Sequence, residues 1–269
     1  MKLLPFAIDL AEKAGKIILA IEKDRIKVSE KAKHDLVTNA DKASEKFIME
    51  QIKKYYPEHE VLSEEDFFKN KKIPNAEYVW IVDPLDGTTN FAHGLPIFSV
   101  SIALVHTKKI KSSKNFEYMH GEIIVGVVHA PRMKETFYAE KDKGAYLNGK
   151  RIRTSAVKTL EDSLIVTGFP VAHKEVNVPY FTKMLPRCQA LRRLGSAALD
   201  LCYIACGRFD SYWEFRLKAW DIAAGSLIVK EAGGVVTDTN GKTLDLFGQD
   251  ILATNGFLHK EVVKIFSKL

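Results

Sequence analysis

The sequence predicts a mixed α/β protein, and three features carry that reading. Helix-period and strand-period apolar patterns alternate along the chain, 269 residues suffice for a substantial core, and no repeat, low-complexity tract or linker-like stretch divides it. A single domain over residues 1–269 is expected. The apolar fraction of 46 % and the charged fraction of 28 % are those of an ordinary globular protein and argue against disorder.

Leu4, Ala7, Ile8, Ala11, Ala14, Ile18 and Ile21 recur at three- and four-residue steps, which predicts an amphipathic helix at the start of the chain. A polar connection through Lys33-His34-Asp35-Leu36-Val37-Thr38-Asn39-Ala40-Asp41 leads to a second helix, with Phe47, Ile48, Ile52 and Tyr55 on one face and Pro57 as its stop. Residues 60–63 read as a short strand entering Glu64-Glu65-Asp66. Residues 78–82 are a near-continuous apolar run, a strand buried on both faces that ends at Asp83-Pro84. Strands follow at 98–105, 123–129, 135–139 and 145–147, with Asn148-Gly149 as a hairpin turn. The second half predicts a strand at 164–167, a helix ending near Cys188, a helix at 197–206 and a strand at 209–217. A helix at 221–231, a strand at 235–237 with a turn at Asn240-Gly241, and a last helix at 259–269 complete the chain.

Forty Lys and Arg against 34 Asp and Glu give a net charge of +6, which suits anionic ligands but does not establish nucleic-acid binding. Cys188, Cys202 and Cys206 form no CxxC pair and no even framework, so they read as thiols of a reducing compartment. Charged residues interrupt the N-terminus before a signal-like stretch develops, and no run reaches membrane-spanning length. A soluble, cytoplasmic protein with no membrane partner is expected.

The chemistry concentrates in Trp80-Ile81-Val82-Asp83-Pro84-Leu85-Asp86-Gly87-Thr88-Thr89-Asn90. Two acids stand where a buried strand stops. Pro84 bars helix at Asp83, and Gly87 allows a left-handed turn. Both carboxylates can then converge above the sheet edge, with the Leu85 carbonyl as a further oxygen for a hard divalent cation. Gly87, Thr88 and Thr89 follow at what reads as a helix start, where free N–H groups favour a phosphate. Carboxylates for Mg²⁺ beside amides for phosphate are what metal-assisted phosphate hydrolysis requires. The plainer readings are an Asp-Pro turn and a helix N-cap at Asp86.

Asp83-Pro84-Leu85-Asp86-Gly87-Thr88-Thr89-Asn90 resembles the first signature of the inositol monophosphatase family. Trp220-Asp221-Ile222-Ala223-Ala224-Gly225, followed by Glu231-Ala232-Gly233-Gly234, resembles the second. Asp35-Leu36-Val37-Thr38 with Asp41, and Ser63-Glu64-Glu65, are similar in kind and order, so the likeness covers nearly the whole chain. The resemblance implies stacked α-β-α-β-α layers, as in the inositol monophosphatases and fructose-1,6-bisphosphatases. It implies a lithium-sensitive phosphomonoesterase, usually dimeric, using two or three Mg²⁺ per site and a water activated by metal. Carried over by position, Glu64, Asp83 and the Leu85 carbonyl would bind one ion, and Asp83, Asp86 and Asp221 a second. Thr88 would orient the attacking water with help from Glu64, and Asp41 would act behind them or at a weaker third ion. The backbone of Gly87 and Thr88 would hold the phosphate. Taken singly, Thr38-x-x-Asp41 also fits a capping pattern, Glu64-Glu65-Asp66 a solvated acidic run, and Asp221 a complement to a helix dipole. His93 reads as a loop or core residue without a catalytic role.

For the leaving group, Glu214 matches by family position the acid that accepts hydrogen bonds from inositol hydroxyls, and Asp221 shares that pocket. Arg193-Leu194-Gly195-Ser196-Ala197 resembles the segment lining it, which points to Gly195, Ser196 and Ala197. By alternation alone the strand at 209–217 is half-exposed, with Phe209, Trp213, Phe215 and Leu217 facing the core. The expected reaction is hydrolysis of myo-inositol 1- or 4-monophosphate to inositol and phosphate. Arg216 and Lys218 raise fructose 1,6-bisphosphate as the alternative; a phosphatase for another small molecule, such as a nucleotide 3′-phosphate or histidinol phosphate, is a third reading. The stretch from Thr107 to Gly121 is longer than the family's tight connection and carries Lys108, Lys109, Lys111 and Lys114, then Phe116 and Tyr118. It reads as a solvated hairpin tip, or, in a rival class, as part of an RNA-associated regulatory protein. The acid cluster and the lack of an RNA-binding motif make a nucleic-acid partner the weaker expectation.

Overall fold

In the computed structural model, which describes residues 2–32, 35–70, 74–107, 121–170, 173–248 and 250–269, the N-terminal apolar stripe becomes α1 (Leu3–Asp24). Its inner face buries Phe6, Leu10, Ala14 and Ile18. A two-stranded ribbon of β1 (Val28–Ala32) and β2 (Asp35–Thr38) leads into α2 (Asn39–Tyr55). This helix opens with a capping box between Thr38 and Asp41 and ends ahead of Pro57.

Among the described residues, β3 (Glu60–Ser63), β4 (Tyr78–Asp86), β5 (Ser99–Thr107), β6 (Gly121–Ala130), β7 (Glu135–Glu140), β8 (Ala145–Leu147) and β9 (Lys150–Arg151) form a seven-stranded sheet in chain order. Neighbours are antiparallel except β3 and β4, which run parallel across a connection containing α3 (Glu64–Asn70). A short α4 (Thr88–Ala92) follows β4. The lysine-rich hairpin reading falls on 108–120, outside the described residues; Thr107 and Gly121 on either side are partners in the β5–β6 ladder.

The second sheet has five strands in the order β11-β10-β12-β14-β13. They are β10 (Leu164–Thr167), β11 (Ala190–Arg192), β12 (Ser211–Phe215), β13 (Val235–Thr237) and β14 (Asp250–Thr254). The helices of this half are α5 (Val178–Met184), α6 (Ala197–Ala205), α7 (Ala219–Glu231) and α8 (His259–Phe266). Strands β11 and β14 have no counterpart in the sequence expectation. The first is three residues long, and the second is a short apolar run that periodicity alone does not assign to strand or helix.

Three apolar clusters separate the layers. α1 and α2 cover one face of the large sheet over Trp80, Val82, Ile102, Leu104 and Val125. α6 and α7 fill the space between the sheets, meeting Val79, Ile81, Ala103 and Val128 on one side and Tyr212, Ile251 and Ala253 on the other. α5 and α8 close the outer face over Trp213, Phe215 and Leu252. The order is α-β-α-β-α, as the resemblance implies. It also explains the unbroken apolar run of β4, whose alternate residues serve two different helical layers. One sequence expectation is corrected here. β12 is buried along its whole length, because β10 and β14 flank it and helices cover both its faces; Tyr212 and Glu214 of the charged parity lie inside this central strand, while Arg216 and Lys218 fall beyond its end and are exposed.

Candidate active site

The ladder between β4 and β5 brings together two acids that a regular strand would keep apart. Asp83 pairs with Ser101 and Asp86 with Ser99, so β4 advances three residues where β5 advances two. The extra residue makes a bulge at Pro84-Leu85, where Pro84 has no N–H for the ladder. Residues three apart in a flat strand point to opposite faces; the bulge turns Asp86 back toward the α6–α7 layer that Asp83 faces. The strand therefore does not end at Asp83-Pro84, as its sequence suggests, but runs through the bulge to Asp86.

Each carboxylate is held by a different element. Asp86 Oδ2 accepts the Ser196 hydroxyl, the Ala198 N–H at 3.0 Å and, more weakly, the Ser99 hydroxyl at 3.5 Å. Ser196 is the N-cap residue of α6 but makes no cap bond within its own helix; Asp86 satisfies that helix end from across the chain. Asp83 Oδ1 accepts the Leu85 N–H at 3.0 Å, inside the bulge. Asp221 Oδ2 accepts the Lys218 N–H at 2.7 Å, and the Ser101 hydroxyl donates to the Trp220 carbonyl at 3.2 Å, which pins the start of α7 to β5. Glu64 opens α3 directly after Ser63, whose partner in the ladder is Val82, so it arrives beside Asp83. Glu45 braces that junction by accepting the Ser63 hydroxyl at 2.6 Å and the Asp66 N–H at 3.0 Å.

Gly87 adopts φ +86° and starts α4; a β-carbon there would stand 2.8 Å from the Ile97 carbonyl oxygen, so both conformation and space require glycine. Thr88 Oγ1 lies 2.9 Å from Asp41 Oδ1 and 2.9 Å from the Leu85 carbonyl oxygen. One hydroxyl proton serves these two acceptors, and the lone pairs of Oγ1 remain to accept from a water. Asp41 also accepts the Thr38 N–H at 2.8 Å and the Thr38 hydroxyl at 2.5 Å. The capping reading of Asp41 is realised, and the same carboxylate also accepts the Thr88 hydroxyl.

A cleft of about 390 Å³ opens above these groups. Glu64, Asp86, Gly87, Thr88 and Asp221 line it together with Gly195, Ser196, Ala197, Glu214 and Phe169, and the Ser196–Asp86 bond joins the two groups. His173, Arg193, Arg216 and Lys218 stand at its mouth as exposed side chains. Glu214 is buried, and its Oε2 accepts the Tyr212 hydroxyl at 2.8 Å. Asp41, Asp83 and Leu85 do not line the cleft; they lie behind Thr88, Glu64 and Asp86. Exposed His93 is not among the lining residues either.

The profile of the inositol monophosphatase family matches residues 1–269. The chain belongs to the inositol monophosphatase family. It is 39 % identical to a fructose-1,6-bisphosphatase/inositol-1-monophosphatase of Thermotoga maritima, covering 100 % of this chain and 97 % of that protein. It is 40 % identical to the Nus factor SuhB of Pseudomonas aeruginosa, covering 94 % of this chain and 91 % of the relative. The structure of an inositol monophosphatase from Anabaena superimposes with a TM-score of 0.84 at 36 % identity, covering 99 % of this chain and 95 % of that one. Family membership makes the protein a phosphatase, with a small phosphate ester as substrate. No helix of the described residues is long and apolar enough to cross a membrane.

The inositol monophosphatase family is generally Mg²⁺-dependent, and the donor chemistry fits a hard cation. Burial, and then the charges of Glu64, Asp86 and Asp221, push the Asp83 carboxyl well above the usual range. Burial and then Glu64 do the same to Asp221. Burial pushes Asp86 up to about 6, against the bonds from Ser196 and Ala198 that hold it down. Among the described residues no three His, Cys, Asp or Glu side chains are already drawn tightly enough to chelate an ion. The charges of Glu64 and Asp86 act on both Asp83 and Asp221.

Several contributors to the site carry no signal in the sequence. Asn90 donates to the Ile97 carbonyl at 2.8 Å and the Leu194 carbonyl at 2.9 Å, tying α4 to the Gly195 turn. Glu45, Phe169, His173 and Asp200 are likewise brought in by tertiary packing. Only Asn90 has a clue, its place inside the first signature.

Proposed function

We propose that the protein hydrolyses myo-inositol 1- or 4-monophosphate to inositol and phosphate, with Mg²⁺ held by Glu64, Asp83, the Leu85 carbonyl, Asp86 and Asp221. The observation that supports this most is the β4 bulge. It directs Asp83 and Asp86 toward the carboxylates of Glu64 and Asp221, beneath a cleft that Glu214 also lines. Mg²⁺, when bound, would neutralise phosphoryl oxygens and lower the pKa of a water.

The chain's own residues supply the rest. Thr88 gives its hydroxyl proton to Asp41 or to the Leu85 carbonyl and so presents a lone pair that orients water toward phosphorus. Glu64, at the edge of the cleft, accepts the proton that water gives up. The backbone N–H groups of Gly87 and Thr88, at the start of α4, hold phosphate oxygens. Gly195, Ser196 and Ala197 wall the leaving group, and Glu214 and Asp221 accept hydrogen bonds from its hydroxyls. Burial pushes Glu214 up to about 7, while the Tyr212 hydroxyl favours its ionised, accepting form.

A specific feature favours a second reading, a sugar bisphosphate such as fructose 1,6-bisphosphate. His173, Arg193, Arg216 and Lys218 ring the mouth of the cleft and suit a second phosphate. The test is phosphate release from inositol 1-phosphate and from fructose 1,6-bisphosphate, with and without Mg²⁺, with lithium titrated into whichever reaction runs. Mg²⁺-dependent release with the larger kcat/KM on inositol 1-phosphate is expected. A larger value on the bisphosphate transfers the conclusion to the second reading. No release on either, with steeply salt-dependent RNA binding, favours an RNA-associated role like that suggested by the SuhB relatives' name.

A further inference from the structure

Gly168 follows β10 directly, and β10 runs parallel to β12 with Thr167 opposite Trp213, so its neighbour on the next strand is Glu214. Its φ is not positive, and nothing in its backbone conformation demands glycine. Space does. A β-carbon at this position would overlap the carboxyl carbon and both oxygens of Glu214. The peptide cannot retreat from that overlap. Asn177, fully buried, donates to the Gly168 carbonyl at 2.6 Å and to Thr167 Oγ1 at 2.9 Å, and accepts the Trp213 indole N–H at 2.6 Å. Thr167 in turn donates to the Trp213 carbonyl at 2.6 Å. These bonds clamp the two strands together at this level. The part free to move is the Glu214 carboxylate, and the open space beside it is the cleft.

We propose that Gly168 is a specificity-determining residue. Its missing side chain lets the Glu214 carboxylate lie back against β10, within reach of the Tyr212 hydroxyl, and keeps the leaving-group end open to a polyhydroxylated ring. The proposal rests on Glu214 as the acceptor of leaving-group hydroxyls. Any side chain at 168 swings that carboxylate into the cleft, breaks its bond to Tyr212 and fills the space the ring would occupy. The phosphate end, built on β4, α4 and α7, stays in place.

The test is a double-mutant cycle of Gly168→Ala and Glu214→Ala, assayed on inositol 1-phosphate and on p-nitrophenyl phosphate, with thermal melting of all four proteins. Gly168→Ala is expected to lower the ratio of kcat/KM on inositol 1-phosphate to that on the aryl ester by about tenfold or more, mainly through KM. It is also expected to lower the melting temperature. In the Glu214→Ala background the same substitution should change neither quantity. Equal losses in both backgrounds, or an unchanged ratio, overturn the proposal. If Gly168→Ala alone fails to fold, a folded double variant supports it and an unfolded double variant overturns it. Should wild type cleave the aryl ester but not inositol 1-phosphate, the functional reading fails separately, and the melting cycle still decides whether the two residues are coupled.

Discussion

Asp86 and Asp221 each hold a helix end and line the cleft at the same time, and Asp41 holds one from behind Thr88, so the plain and the chemical readings of these acids are compatible. Asn in their place keeps the acceptor that the cap needs and removes the charge that an ion needs. Asp86→Asn and Asp221→Asn are therefore expected to fold normally and to lose Mg²⁺-dependent hydrolysis of an aryl phosphate by roughly a hundredfold or more. Near-normal rates in both would remove the proposed metal site. Asp200 presents the opposite case. It is 1 % exposed on α6, and neither carboxyl oxygen has a hydrogen-bond partner among the described residues. Burial first, then the charges of Glu214 and Asp86, hold its pKa well above the usual range. The folded state thus keeps a proton that the unfolded chain gives up near pH 4, and stability falls as pH rises from there toward the folded value. Asp200→Asn is neutral throughout, so it should melt close to wild type at pH 4 and increasingly above it toward pH 8.

At the scale of elements, α7 shows how packing sets the position of a functional group. It lies between two sheets, and at its inner turn a β-carbon at Gly225 would stand 2.6 Å from the Leu201 side chain. On β6, Gly126 completes the contact: a β-carbon there would stand 2.7 Å from the Ala224 carbonyl oxygen, which is backbone and cannot swing aside. Gly126→Ala should push α7 away from the sheet, cost about 1–3 kcal/mol in urea denaturation, and lower activity because Asp221 moves with the helix. Full activity in a destabilised Gly126→Ala protein would show that Asp221 is positioned by its own turn rather than by α7 as a body.

For the molecule as a whole, the acids of the site come from the β3–α3 junction, from β4 and from α7, and only the assembled fold brings them to one place. A cation bound there binds the folded state alone, so its affinity is a term in global stability. The melting temperature should climb with Mg²⁺ concentration, by the equivalent of about 2.7 kcal/mol when the ion is a hundredfold above its Kd. Asp221→Asn should flatten that climb in a calorimetric titration. An unchanged Mg²⁺ response in this variant would place the ion elsewhere.

The sequence by itself determined most elements and the order of the motifs, since the apolar period of α1, the buried run of β4 and the acid-glycine-threonine stretch are local patterns. The same patterns point to the candidate acids. What it did not contain is whatever depends on a neighbour distant in the chain. Alternation made β12 half-exposed, and only the second sheet, with helices on both faces, buried Tyr212 and Glu214. β11 and β14 are too short to carry a period of their own and exist because adjacent strands complete their hydrogen bonds. Asn90 bonding to Leu194, Asp86 capping α6 and Gly168 yielding its space to Glu214 all follow from strand pairing and layer packing. Local residue preferences select helix and strand, whereas the pairing of distant segments decides which side chains meet.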